Sequence, residues 1–278
     1  MNNSMALSVP HSSPTMPPYR IACIDIVTGV HAVDIWGRLG WRETKRRYRR
    51  TAFGPFWTTV SLALFVTTLG LVWSNLWHKA PTTYLPYLTS GMLCWVFFVA
   101  VCTEGCASFI AYEGLIKQLR ISYTLLACAV VWRNTIVFFH NIIILIVVCI
   151  YGGTPVTWST LLVIPGFALL CLNAAWIVIV LGIACARYRD LQQLVANLLQ
   201  ISLFLTPIFW SPDQLTGSTA FFAQLNPLLQ MLTVVRQPLL GMPPTALNWL
   251  AVVLMAAVGW TIALLTLTKL RHRVVYWL

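Results

Sequence analysis

Charged residues are scarce in this chain of 278 residues. They make up 9% of the composition, whereas a soluble domain carries roughly 25%. Acidic residues are the rarer sign, with 7 Asp and Glu against 18 Lys and Arg. Hydrophobic residues reach 59%, and apolar runs of about 20 residues, long enough to cross a bilayer, recur along the chain. The composition excludes an ordinary soluble domain and indicates a protein that crosses the membrane several times.

Motifs for nucleotide and metal chemistry are also missing. No stretch matches G-x-x-x-x-G-K-[ST], and there is no other Gly-rich phosphate loop. The five His are scattered, and the eight Cys, most of them in or beside apolar runs, show no metal-ligand spacing. Spacing alone does not exclude a Ser/His/Asp site, but nothing resembles a nucleophile elbow. The pattern favours a transport protein without catalytic residues, metal or cofactor, whose energy comes from another polypeptide.

The hydropathy pattern predicts an all-α integral membrane protein with six transmembrane spans. These are roughly 56–77, 85–111, 124–150, 158–186, 191–210 and 245–269. Between the last two spans, apolar segments too short to cross predict two re-entrant helices over about 218–236. Within this region, Asn226-Pro227 has the residue types of a helix N-cap followed by Pro in the first turn.

Lys and Arg are distributed unevenly between the two sides of these spans. Fifteen precede span one, follow span six or lie in the second-to-third and fourth-to-fifth connections, against two on the other face, Lys79 and Arg236. The positive-inside rule therefore predicts that both termini are cytoplasmic. This topology, with attraction to anionic membrane lipids, explains most of the net charge of +11 better than a nucleic-acid partner does.

The N-terminal part divides at about residue 30. Residues 1–30 are predicted to be a mostly disordered cytoplasmic tail, and 31–278 form the predicted transmembrane domain. An amphipathic helix over about 31–50 is predicted to lie in the cytoplasmic interface. Glu43 and Arg47 have the spacing of a favourable i,i+4 pair on that helix.

Five stretches carry a family resemblance: RYRRTAFGPFW (47–57), EGLIKQLRIS (113–122), VVWRNTIVFFHNIII (130–144), RYRDLQQLVANLLQISLFLTPIFW (187–210) and LNPLLQMLTVVRQPLLG (225–241). Their residues and order resemble the ABC-2 type permeases that export lipid-linked polysaccharides such as O-antigen, capsule and teichoic acid. The resemblance implies a homodimeric channel in the plasma membrane of a bacterium (its inner membrane), with six spans and two gate helices per protomer. It also implies two copies of a separate ATPase, which binds ATP and Mg, and a polyprenyl-diphosphate-linked glycan as substrate.

A compact charged turn, CARYRDLQQL, lies between two apolar runs at residues 185–194. Asp190 and Gln193 have the spacing of a capping box at the start of the fifth span, and Arg187 and Arg189 keep the turn cytoplasmic. A second interpretation stays open, in which these two arginines and a basic group before span one bind the diphosphate of the lipid carrier. That group consists of Arg46, Arg47, Arg49 and Arg50.

The connection between spans two and three has a small amphipathic pattern. Its apolar residues are Leu115, Ile116 and Leu119, and its basic residues are Lys117 and Arg120. In the family that the chain resembles, this position holds the coupling helix that docks on the ATPase, a helix-in-groove contact. An ordinary loop is the alternative.

Six aromatic residues are candidates to line a sugar-conducting pore, because flat rings offer apolar faces to the C–H groups of sugars. They are Trp57, Phe65, Trp73, Phe204, Phe209 and Trp210. The alternative for each is a packing role or a place in the aromatic belt at the membrane interface.

Glu104 is the only carboxylate inside the predicted spans, which disfavours a proton-coupled carrier. Arg133 lies at a similar depth in the next span, and an isolated charge there costs about 2.5–3.5 kcal/mol or more. We therefore predict a Glu104–Arg133 ion pair; the alternative is that each side chain faces a water-filled pathway separately.

Two other functions stay open. One is an ABC-2 exporter of a different lipid or drug. The other is a membrane-embedded glycosyl- or acyltransferase, which needs activating acids at the membrane face. Asp25, Asp34 and Glu43 are poor candidates for that chemistry, because Asp34 and Glu43 have local helix-stabilising roles.

Overall fold

The computed structural model describes residues 16–49, 54, 56–119, 121–212 and 224–278. The regular structure of this part is helical, as predicted. We number its α-helices α1 Pro18–His31, α2 Val33–Tyr48, α3 Phe56–Leu76, α4 Pro81–Ala111, α5 Glu113–Gln118, α6 Tyr123–Gly152, α7 Val163–Arg187, α8 Leu191–Leu205, α9 Pro227–Leu239 and α10 Ala246–Trp277. A 3₁₀ turn, Trp158–Leu162, leads directly into α7.

In the described part of the chain, five helical segments are long and apolar enough to cross a membrane. They are α3, α4, α6, the 3₁₀ turn continued by α7, and α10, with lengths of 21, 31, 30, 30 and 32 residues. The prediction of several apolar spans is confirmed for these five. The same criteria do not include α8, the predicted fifth span.

Helix α8 is shorter than the span predicted over 191–210. It has 15 residues and ends at Leu205, so it is about 22 Å long against a hydrocarbon core of about 30 Å. The cause is Pro207, because the residue before a proline disfavours helical backbone angles. Thr206 accordingly has an extended conformation, with φ −87° and ψ 135°.

The N-terminal region contains more structure than predicted. The prediction of a mostly disordered segment over 1–30 is wrong for its second half, where α1 begins at Pro18; residues 1–15 lie outside the described part. Proline suits the first turn of a helix because its fixed φ is helical and no hydrogen bond is lost. The helix predicted over about 31–50 corresponds to α2, Val33–Tyr48, which Ala32, with a non-helical backbone, separates from α1.

Helix α4 lies at the centre of the bundle and packs most extensively against α6 and α7. Helix α10 packs closely against α7. A Cβ atom added to Gly259 would meet the Trp176 ring at 2.0 Å, so only glycine permits this approach.

Helix α9 begins as the sequence predicts. The Asn226 side chain accepts a hydrogen bond from the backbone N–H of Leu228 at 2.9 Å, and Pro227 occupies the first turn. The helix has 13 residues, or about 20 Å, and is too short to cross a bilayer. The first of the two predicted re-entrant helices, near residue 218, falls largely outside the described residues.

Candidate functional site

A polar stripe runs along the exposed side of α8. Gln193, Asn197 and Gln200 are all exposed, and their spacing of four and three residues places them on one face. Gln193 Nε2 donates to Asn197 Oδ1 at 3.1 Å. Amide groups in hydrocarbon without partners are costly, so this face requires water, sugar or protein beside it.

Four of the six predicted pore aromatics lie at the end of this stripe. The Phe209 ring lies 6.0 Å from Phe204 and stacks on Trp73 at 6.1 Å. Trp210 Nε1 donates to the carbonyl oxygen of Phe204 at 3.1 Å. Phe204 is exposed, whereas Phe209 is buried and serves packing. The cluster therefore offers Phe204 as its surface ring, next to Gln200.

The other two predicted aromatics do not join this cluster. Trp57 and Phe65 are exposed on α3, and the sixteen residues from Trp57 to Trp73 correspond to about 24 Å along that helix. The structure thus separates the six candidates into one cluster of four rings and two rings on α3 that lie outside it.

The segment after α8, Thr206–Trp210, is held through its carbonyl groups. Tyr84 O–H donates to Phe209 at 2.7 Å and Tyr87 O–H to Trp210 at 2.9 Å. Arg236 Nη1 donates to Pro207 at 2.7 Å. Three side chains from α4 and α9 therefore fix the non-helical continuation of α8.

Arg236 is a site residue that sequence reasoning missed, having counted it only as a topological charge. It is buried, lies 4.4 Å from the centre of the Tyr87 ring, and has no acidic partner among the described residues. A single Arg inside a short apolar segment was the available signal, because such a charge rarely lacks a specific role.

Glu104 and Arg133 are brought together by the structure. Arg133 Nη2 and Nε lie 2.5 and 2.9 Å from one Glu104 oxygen, and Asn134 Nδ2 donates to the same atom at 2.7 Å. Arg47 Nη2 of α2 donates to the other oxygen at 2.6 Å. The carboxylate therefore joins three helices, where the sequence predicted a link between two.

Glu43 completes this network. Arg133 Nη1 and the Tyr112 hydroxyl both donate to its carboxylate, and burial together with that carboxylate raises the pKa of Tyr112. The predicted i,i+4 pair between Glu43 and Arg47 is wrong: both side chains face the bundle and bind partners on α4 and α6.

An open cavity of about 390 Å³ adjoins the network. Its lining residues are Glu43, Arg46, Arg47, Glu104, Ala107, Ser108, Ala111, Tyr112 and Arg133.

The charged turn differs from its prediction. Asp190 occupies the N-cap position of α8 but has helical backbone angles, φ −69° and ψ −23°, and makes no side-chain cap. The first N–H groups of the helix bond to backbone oxygens of the turn instead, and Gln193 bonds to Asn197. The predicted capping box is therefore wrong, because an N-cap side chain reaches those N–H groups from an extended residue.

The predicted head-group arginines have different neighbours. Arg47 binds Glu104, Arg187 lies 5.1 Å from the centre of the Trp277 ring, and Arg189 contributes with Lys117 to lowering the pKa of Glu113. Arg46 and Arg49 are exposed, and Arg50 lies outside the described residues. Of the six, Arg46 and Arg47 line the cavity beside Glu104.

The apolar residues that helix α5 leaves exposed differ from those predicted to dock on the ATPase. Ile116 is buried inside its own chain, with 6% of its surface exposed, whereas Leu119 is 47% exposed. Leu115 is half-buried against the core, and Lys117 pairs with Glu113 at 2.6 Å. Arg120 lies outside the described residues. The apolar surface available to a partner is thus Leu119, while Ile116 anchors the helix.

Asp25 is the centre of a second buried network of polar contacts, which the sequence did not predict. Its carboxylate accepts hydrogen bonds from the Ser122 hydroxyl at 2.9 Å and the Tyr123 N–H at 3.1 Å, and Arg271 Nε lies 3.4 Å away. Burial raises the pKa of this carboxyl, and the charge of Arg271 opposes the shift. Helix α1 therefore caps the start of α6 and contacts the end of α10, the basic end of the bundle.

Several apolar spans combined with a polar stripe on α8 and a charge network define a polytopic membrane protein. More narrowly, the chain belongs to the ABC-2 type transporter family, whose model matches residues 36–240. The family resemblance in the sequence is confirmed by this match.

Relatives point in the same direction. The chain is 25% identical over 195 residues to the O-antigen export system permease protein RfbA of Myxococcus xanthus, covering 69% of this chain and 75% of that protein. Two O-antigen export system permease proteins RfbA of Klebsiella pneumoniae are 23% and 22% identical, covering 69% and 70% of this chain and 74% and 76% of theirs.

Proposed function

We propose that this chain is the channel-forming membrane subunit of an ATP-driven exporter that moves a lipid-linked polysaccharide out of the cytoplasm across the plasma membrane. The family supports transport, and the relatives named for O-antigen export support a polyprenyl-diphosphate-linked, O-antigen-like glycan. The chain performs no chemistry itself. ATP and Mg are bound by two copies of a separate ATPase, and two copies of this chain form the channel.

The observation that carries this proposal is the polar stripe of α8. A glycan presents hydroxyl groups, and the amides of Gln193, Asn197 and Gln200 both donate and accept hydrogen bonds. Phe204 continues the stripe with a ring face suited to sugar C–H groups. In a homodimer, two such helices facing one another enclose a path in which every exposed amide has a partner.

This channel requires α8 to belong to a sixth span. The helix supplies about 22 Å of the hydrocarbon core of about 30 Å. We assign the remainder to the non-helical segment Thr206–Trp210, which Tyr84, Tyr87 and Arg236 hold in place. Helix α9, which is too short to cross, is then the re-entrant element that closes the external end of the path.

The basic end of the bundle is proposed to be cytoplasmic, with both termini there. Helix α6 has 30 residues, or about 45 Å, so about ten residues extend beyond the bilayer core. Helix α2 crosses α6 near Arg133, where the span enters the membrane, and therefore lies in the interface. The cavity beside Glu104 opens at this level, and Arg46 and Arg47 are placed to meet a diphosphate head group.

Coupling to the ATPase is assigned to α5. Lys117 and Leu119, the residue that follows the helix, form the exposed surface, and Ile116 transmits a displacement of the helix into the bundle. Because α5 connects α4 to α6, movement of α5 acts directly on the two helices that hold the charge network.

The stripe is tested by removing its polarity. Replacing Gln193, Asn197 and Gln200 with Leu should reduce glycan export at least tenfold, because a dry surface offers sugar hydroxyls no partners. The matched control replaces the neighbouring exposed Leu194, Leu198 and Ile201 with Val, which keeps that face apolar. Surface glycan is measured in cells that contain equal amounts of inserted permease. Wild-type export by the Leu variant would contradict the channel assignment.

A further inference from the structure

A second cavity lies between α2 and α6, on residues that the transport proposal does not use. Its volume is about 280 Å³, and it is lined by Gly37, Arg38, Trp41, Arg42 and Trp132. The lining combines two guanidinium groups with two indole rings. The residues around the Glu104 network form a separate cavity.

The walls of this cavity are held in place by close packing. A Cβ atom on Gly40 would lie 3.0 Å from both the Ala129 carbonyl oxygen and Trp132 Cδ1, so α2 rests directly on α6 there. Trp36 packs edge-on against Trp132 at 5.8 Å. Gly37, in contrast, has open space where a side chain would extend. The cavity is therefore a gap beside a close helix contact, and its Trp132 wall is held by Trp36 and the Gly40 backbone.

Both arginines of the cavity are available to an anion. Arg38 and Arg42 are exposed and one helical turn apart, on the same face of α2. Arg38 Nε donates to the backbone oxygen of Asp34 at 2.8 Å, which orients its terminal nitrogens. In the described part of the chain, no acidic side chain pairs with either guanidinium.

An exposed apolar track continues from the cavity along α6. Phe139, Ile143, Ile146 and Ile150 are exposed, and their intervals from Trp132 of 7, 11, 14 and 18 residues keep them on one helix face. The face thus runs from an aromatic, cationic cavity into a hydrophobic strip about 27 Å long. This order of groups matches a phospholipid, with its phosphate at the cavity and its acyl chains along the strip.

We propose that this cavity binds the head group of an anionic phospholipid of the cytoplasmic leaflet. The proposal rests on the interfacial position assigned to α2 under the proposed function. Arginine binds phosphate oxygens bidentately, basic pockets beside transmembrane helices suit anionic head groups, and Trp prefers the head-group level. The bound lipid fills the gap at Gly37 and holds α2 against α6 beside the charge network.

Lipid retention by the full-length protein tests the proposal. The protein is released from nanodiscs containing equal amounts of phosphatidylglycerol and phosphatidylcholine, and the lipids that stay bound are counted by native mass spectrometry. Wild type should retain phosphatidylglycerol at least fivefold over phosphatidylcholine. Arg38→Gln with Arg42→Gln should abolish that preference, whereas Lys45→Gln with Arg273→Gln, which removes the same charge from other exposed positions, should preserve it.

A charge-neutral variant makes the test independent of electrostatics. Gly37→Leu fills the open space without removing an arginine, and it should also reduce phosphatidylglycerol retention at least fivefold. Equal retention of the two lipids by wild type, or equal loss in both charge variants, would overturn the proposal.

A third lipid, a polyprenyl diphosphate, tests whether the cavity binds the export substrate instead of a phospholipid. Displacement of phosphatidylglycerol from wild type by a polyprenyl diphosphate, one for one, would assign the cavity to substrate and overturn the phospholipid proposal. The measurement uses neither ATPase nor glycan, so it fails independently of the export function, which the α8 variants test.

Discussion

Arg133 donates two hydrogen bonds to a single carboxylate oxygen of Glu104, at 2.5 and 2.9 Å, from the neighbouring helix. The same guanidinium also binds Glu43 of α2. All three side chains are largely buried, with 12–15% exposure. Arg133 therefore pairs with two carboxylates, one of which also binds Arg47, and both arginine contacts attach helix α2 to the bundle.

The Arg133→Gln variant should accordingly be less stable than Glu104→Gln. Losing Arg133 leaves Glu43 without a cationic partner and Glu104 with Arg47 alone, and should cost about 3–5 kcal/mol, whereas losing Glu104 leaves Arg133 paired with Glu43. The free energy of unfolding in detergent measures the difference. Neutralising Glu43, Glu104 and Arg133 together should recover part of the stability that Arg133→Gln loses. Glu113→Gln, which breaks an exposed pair with Lys117, should change the stability little and serves as control. Equal stability of the two single variants would contradict the shared-cation arrangement.

Residues of α5 should divide into two kinds when each is changed to Asp. Leu119→Asp should leave the permease folded but lower the ATPase activity that the permease stimulates, because Leu119 is the exposed apolar residue of the proposed coupling surface. Ile116→Asp should reduce the amount of folded permease, because it buries a charge within the chain. Pull-down of the ATPase and ATP hydrolysis, each normalised to inserted permease, separate the two outcomes. Full stimulation by the Leu119 variant would remove α5 from the coupling surface.

The structure could be predicted from the sequence at long apolar runs and at the rare charged residues within them. Five spans are apparent as long apolar runs, and Glu104 and Arg133 are charges within such runs whose depth follows from helical rise. The Asn226 cap also follows from local spacing. In each case, the residues that determine the structure are separated in the sequence by no more than about the length of one span.

Predictions failed where the partner is distant or where alternative local bonds compete. Glu43 and Arg47 have ideal spacing for a pair, but tertiary packing offers each a buried partner. Asp25 binds residues nearly a hundred positions away, which no local pattern encodes. At Asp190, backbone oxygens of the turn satisfy the helix N–H groups, so the side chain has no role in capping.

The orientation of the chain is testable through Cys23. It is exposed on α1, whereas the other cysteines are buried or half-buried. A membrane-impermeant maleimide should label Cys23 in inverted vesicles but not in intact cells, and Cys23→Ser should remove the label. In that background, Trp158→Cys, at the opposite end of the bundle, should react in intact cells. Labelling of Cys23 in intact cells would place α1 outside and overturn the topology.

The stability of the permease should depend on pH through Asp25 in a defined direction. Burial raises the pKa of this carboxyl above its usual 3.8, against the opposing charge of Arg271. A raised folded-state pKa means that protonation stabilises the fold. This stabilisation is fully present below the unfolded-state pKa and is lost as pH rises through the folded-state value.

The melting temperature of wild type minus that of Asp25→Asn should therefore be largest near pH 4 and decrease as the pH rises. Arg271→Gln should extend the decrease to higher pH, because it removes the charge that opposes the raised pKa. Glu113 provides a control of opposite sign, since Lys117 lowers its pKa and its contribution is lost as pH falls. Thermal unfolding followed by tryptophan fluorescence between pH 3 and 8 measures each difference. A difference for Asp25 that grows with rising pH would mean that Arg271 outweighs burial, and that α1 is held by an ion pair.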